Sequence, residues 1–301
     1  MTLLHLSDTH FGTERAGVVQ ALLALHRQVA PELVVHSGDI TQRATPTQFA
    51  RAADFVGQLG GAKWLAVPGN HDVPLIDLFT RLTRPWSRYR RWIGPLESEV
   101  DSANWLVIAV NTVQPRRHKD GAVSRARIDA VAERLRRADR GQLRIVVGHH
   151  PFAVTRPEDE SNRAQNGARA IDAWVDAGAD LLLGGHIHLP FLLPLTVSGA
   201  MQSRPVWQLQ AGTAISSRLR GGTPNSVNLI RPRKPAIPSL HARSCVVERW
   251  DYDEDRGRFA IASATTLDFD EGKSPLLSSP PGEESKRGNS TIDGSVPDAV
   301  S

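Results

Sequence analysis

The chain has almost no thiol chemistry: Cys245 is its only cysteine. That excludes an intramolecular disulfide and a thiolate metal cluster, and it makes the cytoplasm the expected compartment. Long apolar runs are missing too. No stretch reaches the roughly eighteen residues that a transmembrane helix needs. The opening Leu3-Leu4-His5-Leu6-Ser7-Asp8 has neither a basic lead nor a small-residue cleavage site, so it reads as a first strand and not as a signal peptide. There is no internal repeat. What is present is a globular balance, 40% hydrophobic and 23% charged over 301 residues, which can bury a sizeable core without crosslinks.

The formal net charge of +4 is unevenly spread. From Asp268 to Ser301 seven acids face three bases, so this stretch carries −4 and the preceding body +8. A basic body suits an anionic substrate. Arg134, Arg136, Arg137 and Arg140 also fit the solvated side of a helix, which needs no partner. Beyond Asp268, Ser, Pro, Gly and acids dominate and apolar periodicity vanishes. A folded domain over residues 1–267 and a disordered acidic tail over 268–301 are therefore expected.

Within the body, strands alternate with helices. Apolar runs at Leu3–Ser7, Leu33–His36, Trp64–Val67, Trp105–Val110, Arg144–Val147 and Asp180–Leu183 read as strands. Helices are expected near Arg15–Val29, Thr47–Leu59, Arg81–Trp92, Arg125–Arg137 and Arg169–Asp176. The fourth carries Ile128, Val131 and Leu135 on one face. After Val206 the pattern changes to strands joined by turns, at Val206–Gln210, Ser226–Ile230, Ser244–Asp251 and Arg258–Ala264. These would form a second, antiparallel or mixed sheet, interrupted by an exposed loop from Arg231 to Pro238. The class is α/β, a sheet packed between helices and completed to a sandwich.

Five apolar runs end in polar tips: Asp8-Thr9-His10, Gly38-Asp39, Gly69-Asn70-His71-Asp72, Gly148-His149-His150 and Gly185-His186-Ile187-His188. If the five strands are parallel neighbours in one sheet, all the tips emerge at one edge, where α/β proteins bind ligands. Any one tip could be an ordinary turn. Together they gather Asp, Asn and His, donors suited to Mn, Fe, Zn or Ni.

In that order, these motifs resemble the calcineurin-like metallophosphoesterases over about residues 1–265. The opening His5-to-His10 run and the His149-His150-Pro151 form look most like the class III cyclic-nucleotide phosphodiesterase branch. The resemblance implies a four-layer αββα sandwich of two mixed sheets flanked by helices, with two metal ions at the carboxyl ends of the strands. It implies Asp8, His10, Asp39 and His188 at one metal, and Asp39, Asn70, His149 and His186 at the other, Asp39 bridging. Two divalent cations with two carboxylates leave about +2, which a hydroxide and a phosphodiester monoanion neutralise. A metal-bridging hydroxide would attack phosphorus in line, and His71 would protonate the leaving oxygen as general acid, with Asp72 orienting it.

Arg218 and Arg220 share a face if extended and could grip phosphate, or belong to a polar surface turn. His150 reads as a pocket residue in contact with substrate or as support for the ligands. The expected function is hydrolysis of phosphodiesters, cyclic nucleotides or other small diesters. A phosphomonoesterase, a phospholipid-headgroup hydrolase, a nuclease and a non-catalytic metal-bound scaffold are the competing readings. The Arg81–Trp92 segment, with Trp86, Tyr89 and Trp92, is the one stretch with the mixture a nucleic-acid groove needs, and it reads better as a helix covering the core. A homodimer stays open as an assembly state.

Overall fold

Strand β1 (Leu3–Leu6) lies parallel to β2 (Leu33–His36), which lies parallel to β3 (Lys63–Ala66). In this computed structural model, which describes residues 1–117, 119–195, 205–233 and 243–269, the three strands form half of one sheet. The other half is β10 (Ser226–Arg233), β11 (Ser244–Asp253) and β12 (Arg258–Asp268), attached antiparallel at β1, so the order is β12-β11-β10-β1-β2-β3. The second sheet holds β4 (Glu99–Asp101), β5 (Trp105–Ala109), β6 (Leu143–Val147), β7 (Leu181–Gly184), β8 (Phe191–Leu195) and β9 (Val206–Gln210). Its order is β4-β5-β6-β7-β9-β8, with β5, β6, β7 and β9 parallel and the edge strands antiparallel.

The five tips therefore come from two sheets, three from the first and two from the second, not from one. Strands of the last third do not make the second sheet by themselves: β10–β12 extend the first and β9 joins the second. Runs that are apolar on both faces signal burial but leave pairing partners unspecified. The αββα layering itself is as expected. Alternate residues of β1–β3 (Leu3, Leu33, Val35, Leu65) pack against Val107, Ile145 and Leu183 of the opposite sheet. Their neighbours Leu4, Leu6 and Val34 face outward onto α1 (Ala16–Val29) and α2 (Pro46–Gln58). On the far side, Leu106, Ile108, Val146 and Leu182 meet α5 (Arg125–Arg136) and α6 (Gly167–Asp176).

The segment expected as one helix over Arg81–Trp92 is two, α3 (Leu78–Thr83) and α4 (Ser87–Trp92), separated at Arg84-Pro85. Proline has no N–H to continue the ladder and disfavours helical backbone in the residue before it. Tyr89 is fully buried, and Trp86 and Trp92 pack on the same core, so this segment does cover the sheet. The loop expected from Arg231 is strand as far as Arg233, with Pro232 opposite Cys245; β1 pairs with β10 only up to Ile230, so Pro232 lies where one flank is unpaired. At the expected domain boundary, Asp268 still pairs with Ser244, and Phe269 is 1% exposed, so the folded body reaches at least Phe269. The rest of the acidic tail lies outside the described residues. Among those residues no helix is long and apolar enough to cross a membrane.

Candidate metal centre

The tips interlock through unusual backbone. Asp8, His10, Asp39, His186 and His188 all adopt left-handed φ, between 42° and 75°. Such a conformation costs a non-glycine residue roughly 1–2 kcal/mol, and it persists where the surroundings over-determine it. Here one tip fixes the next: Asp8 N–H donates to the Gly38 carbonyl at 3.0 Å, His10 N–H to the Asp39 carbonyl at 3.0 Å, and His186 N–H to Asp8 Oδ2 at 3.0 Å. Two glycines permit the approach. A Cβ on Gly185 would stand 1.9 Å from Ser7 Oγ, and one on Gly69 would stand 2.1 Å from Asp39 N.

The side chains converge in two groups that share Asp39. Asp8, His10, Asp39 and His188 place ligand-capable atoms within 4.8 Å of one another, as do Asp39, His149 and His186. Asn70 Oδ1 completes the second group, 3.2 Å from His149 Nε2 and 3.0 Å from His186 Nδ1. The two oxygens of Asp39 face different groups: Oδ1 is 3.3 Å from His149 Nε2, and Oδ2 is 3.7 Å from His10 Nε2. A carboxylate so divided is placed to span two cations.

The hydrogen bonds test whether metals fit. His149 Nδ1 lies 2.8 Å from the Ser37 carbonyl, and His188 Nδ1 lies 2.5 Å from the Arg218 carbonyl. A carbonyl only accepts, so each Nδ1 carries a proton and Nε2 is the ring atom turned toward the carboxylates. His10 Nε2 and His188 Nε2 sit 3.1 Å apart, and the buried Asp8 Oδ1 faces both of them, at 3.6 and 3.2 Å. Ring nitrogens and carboxylate oxygens aimed at one another in a buried space need positive charge between them, as protons or as cations. The residues fit two cations.

The electrostatics agree. Burial pushes the Asp8 and Asp39 carboxyls up, but the surrounding imidazoles together, His188 foremost at the first and His149 foremost at the second, outweigh it and hold both well below the usual range. For His149, burial pushes down and the Asp39 carboxylate overrides it, lifting the imidazole to about 9. Burial, with His149 adding to it, lowers His186 to about 3. Two buried anions recruit positive charge, and the neighbouring rings cannot all carry it.

The remaining expected site residues separate. His71 lines the pocket; its Nδ1 is 2.9 Å from the Gln42 carbonyl and its Nε2 is 3.3 Å from Arg218 Nη1. Asp72 does not orient it. The Asp72 carboxylate instead accepts from Ile40 N–H (3.1 Å), Thr41 N–H (2.7 Å), Thr41 Oγ1 (2.9 Å) and Gly69 N–H (2.9 Å), bracing the β2 tip against the β3 tip. Burial, with the charge of Asp39, pushes its carboxyl up to about 7 against the pull of those amides. His150 is not available to substrate either. It is fully buried, with Nδ1 2.8 Å from Thr112 Oγ1 and Nε2 2.9 Å from the Lys119 carbonyl, and it stacks at 4.5 Å on His186.

Arg218 and Arg220 both line the cavity of about 520 Å³ over the two groups, but they differ in charge balance. Arg220 is tied to buried Asp159 at 2.8 Å and to the Ile187 carbonyl at 3.1 Å. Arg218 donates to Gln42 Oε1 at 2.9 Å and has no acid partner in that contact. Sequence reasoning missed Gln42, Thr213 (Oγ1 2.9 Å from His188 Nδ1), Lys119 and Asn162. The signal for Gln42 was its place in the tip after Asp39; Lys119 lay in a loop recognisable as basic, and Asn162 had none.

Comparison with known proteins follows the same geometry. Residues 1–190 match the model of the calcineurin-like phosphoesterase family. A Synechococcus protein named as a probable cyclic nucleotide phosphodiesterase is 28% identical over 181 residues, 60% of this chain and 66% of the relative. Among solved structures, the purple acid phosphatase PPD1 of yellow lupin superposes with a TM-score of 0.65 at 10% identity, covering 89% of this chain and 53% of the plant protein. A dimetal phosphatase of Danio rerio gives 0.58 at 13% identity, covering 90% and 99%. The chain thus spans somewhat less than two thirds of the cyanobacterial relative and about half of the plant one. At these identities the two solved structures speak for the fold, and the match over residues 1–190 speaks for the family: this chain belongs to the calcineurin-like phosphoesterases.

Proposed function

We propose that the protein hydrolyses small phosphodiesters, cyclic nucleotides among them, at two metal ions held by Asp8, His10, Asp39 and His188 and by Asp39, Asn70, His149 and His186. The observation that carries this reading is the shared Asp39, with one carboxylate oxygen toward each ligand group. Two divalent cations held there would supply Lewis acidity to the phosphoryl oxygens and activate water as nucleophile. With Asn70 as a neutral ligand, only Asp8 and Asp39 subtract charge, which leaves the floor attractive to a phosphodiester monoanion.

The protein's own groups do the rest. The Arg218 guanidinium, facing the cavity, donates to a nonbridging phosphate oxygen. In the free protein it lies 3.3 Å from His71 Nε2; an incoming phosphate draws it away and leaves Nε2 to meet the leaving-group oxygen. The Gln42 carbonyl holds His71 Nδ1–H and sets the ring plane; once Arg218 has turned to phosphate, Nε2 takes a proton from solvent, and the imidazolium so formed passes that proton to the departing alkoxide from a fixed position. A nuclease reading loses support, because Tyr89 is buried and Trp86 and Trp92 pack on the core and offer no stacking platform.

The test is a parallel screen of cyclic nucleotides, linear diesters and monoesters with Mn, Fe, Zn and Ni. A preference for diesters of about a hundredfold is expected, on the order of 3 kcal/mol. Monoesters turned over as well as diesters would move the reading to a phosphatase, and no turnover with any metal would favour a metal-bound scaffold. In the same assay His71→Ala should lower kcat by about a hundredfold or more while metal content stays at the wild-type level. Wild-type turnover with full metal content would remove His71 from the acid role.

A further inference from the structure

Eight large apolar side chains are exposed among the described residues, and five of them, Leu75, Ile76, Leu78, Phe79 and Leu82, lie in one segment three residues past Asp72. Ile76 is 77% and Phe79 69% exposed. Surface helices ordinarily turn apolar residues inward. Around α3 the pattern is inverted, and the inversion is anchored. Asp77 caps the helix, accepting from Thr80 N–H at 3.0 Å and Thr80 Oγ1 at 2.7 Å. Arg88 joins Asp77 (2.6 Å) to the Ala44 carbonyl (3.0 Å), and Arg81 donates to the Pro74 carbonyl at 3.2 Å. The polar residues fasten the helix to the body so that it holds its apolar side chains out in solvent. Concentrated exposure of this kind marks an interaction surface.

Charge identifies what covers it. No acid occurs from Leu78 to Leu96, while Arg81, Arg84, Arg88, Arg90 and Arg91 do, and Arg84, Arg90 and Arg91 are exposed. In a two-fold contact with a second copy, these arginines would meet their own equivalents, an arrangement of like charges. An anionic lipid surface answers both features: headgroups for the guanidiniums and an acyl boundary for Phe79, Leu78 and Leu82.

We propose that the segment from Leu75 to Trp92 docks the protein on anionic membrane surfaces by shallow insertion of α3. The surface follows His71 and Asp72 directly in the chain, so docking holds the β3 tip close to the lipid plane. The inference does not depend on the catalytic reading, because it is tested without turnover.

The experiment is flotation of the full chain with phosphatidylcholine vesicles and with mixed phosphatidylcholine–phosphatidylglycerol vesicles at low ionic strength, alongside sedimentation analysis of its oligomeric state. Partition onto the mixed vesicles should exceed that onto phosphatidylcholine by about tenfold or more. The Phe79→Ser variant should lose about tenfold of that partition, and Arg84→Ala with Arg91→Ala a similar factor. All three positions are exposed, so the variants should melt with the wild type. Equal partition onto both vesicle types, or a Phe79→Ser protein that binds as the wild type does, overturns the proposal. So does a Phe79→Ser variant that turns a dimer into a monomer, which would make a second copy the occupant.

Discussion

Asp39→Asn should fold as the wild type does and lose about a thousandfold or more in kcat/KM. The substitution is close to isosteric, and Asp39 sits at φ 54°, where asparagine is as well tolerated as aspartate. The backbone bond from His10 N–H to the residue 39 carbonyl is untouched. The variant keeps one carbonyl oxygen and replaces the other with a donor, which cannot serve as a ligand. It also removes one of the two negative charges that hold the group together. Since one cation supplies several kcal/mol of transition-state stabilisation, and each 1.36 kcal/mol is tenfold in rate, the loss of a bridge to both cations should reach three powers of ten. Metal content per chain should fall from about two toward one or none. A variant that retains both metals and turns over within about tenfold of wild type would show that the oxygens of Asp39 do not hold the centre.

The polar tips were legible because each stands where a buried run leaves the sheet; the assignment of their residues to two metals came from the resemblance. That pattern did not say which sheet a strand joins. Leu33–His36 and Arg144–Val147 look alike as apolar runs, yet they lie in opposite sheets whose carboxyl ends meet across the interior core. Nor could the sequence convey the left-handed backbone at Asp8, His186 or His188. Those positions are not glycine, and their conformation is imposed by bonds from other tips.

Neighbours along the chain were the main source of error. His150 adjoins His149 in a bend past the end of β6, and its ring goes into the wall formed by Thr112 and the Lys119 carbonyl, stacked on His186, which fits the supporting reading and not the substrate-contacting one. Arg220 seemed a twin of Arg218 until Asp159, which no local pattern connects to it, took its charge. The Arg81–Trp92 segment, the end of α3 together with α4, was read as core cover. That holds for Tyr89 and fails for Leu82, which is 65% exposed, because Pro85 ends the first helix and lets it present a different face.

Asp72 is the case with the largest expected effect on stability. In the sequence it follows His71 and looks like its orienting partner. In the structure Asn70–Asp72 is a single 3₁₀ turn that swings the carboxylate away from the imidazole and back over the chain. One oxygen accepts from Thr41 N–H and Thr41 Oγ1, and the other from Ile40 N–H and Gly69 N–H, all in a fully buried space. Asp72→Ala would leave three backbone N–H groups without an acceptor there, while the Thr41 hydroxyl could turn to the His71 carbonyl at 3.4 Å. At about 1–3 kcal/mol for each unsatisfied group, offset in part by relaxation and by water entering the gap, a net loss on the order of 4 kcal/mol follows. For a domain of this size that lowers the melting temperature by roughly 10 °C. Asp72→Asn should fall between, since it keeps one oxygen for two of the donors and turns an amide NH₂ toward the others. His71 should hold its ring plane in both variants, because the Gln42 carbonyl, not Asp72, fixes Nδ1. Thermal melts of the two variants decide the matter: an unchanged melting temperature with turnover lost would return Asp72 to the role of orienting His71. A graded loss of stability would establish it as the brace that joins the Asp39 tip to the Asn70 tip and so sets the distance between the two ligand groups.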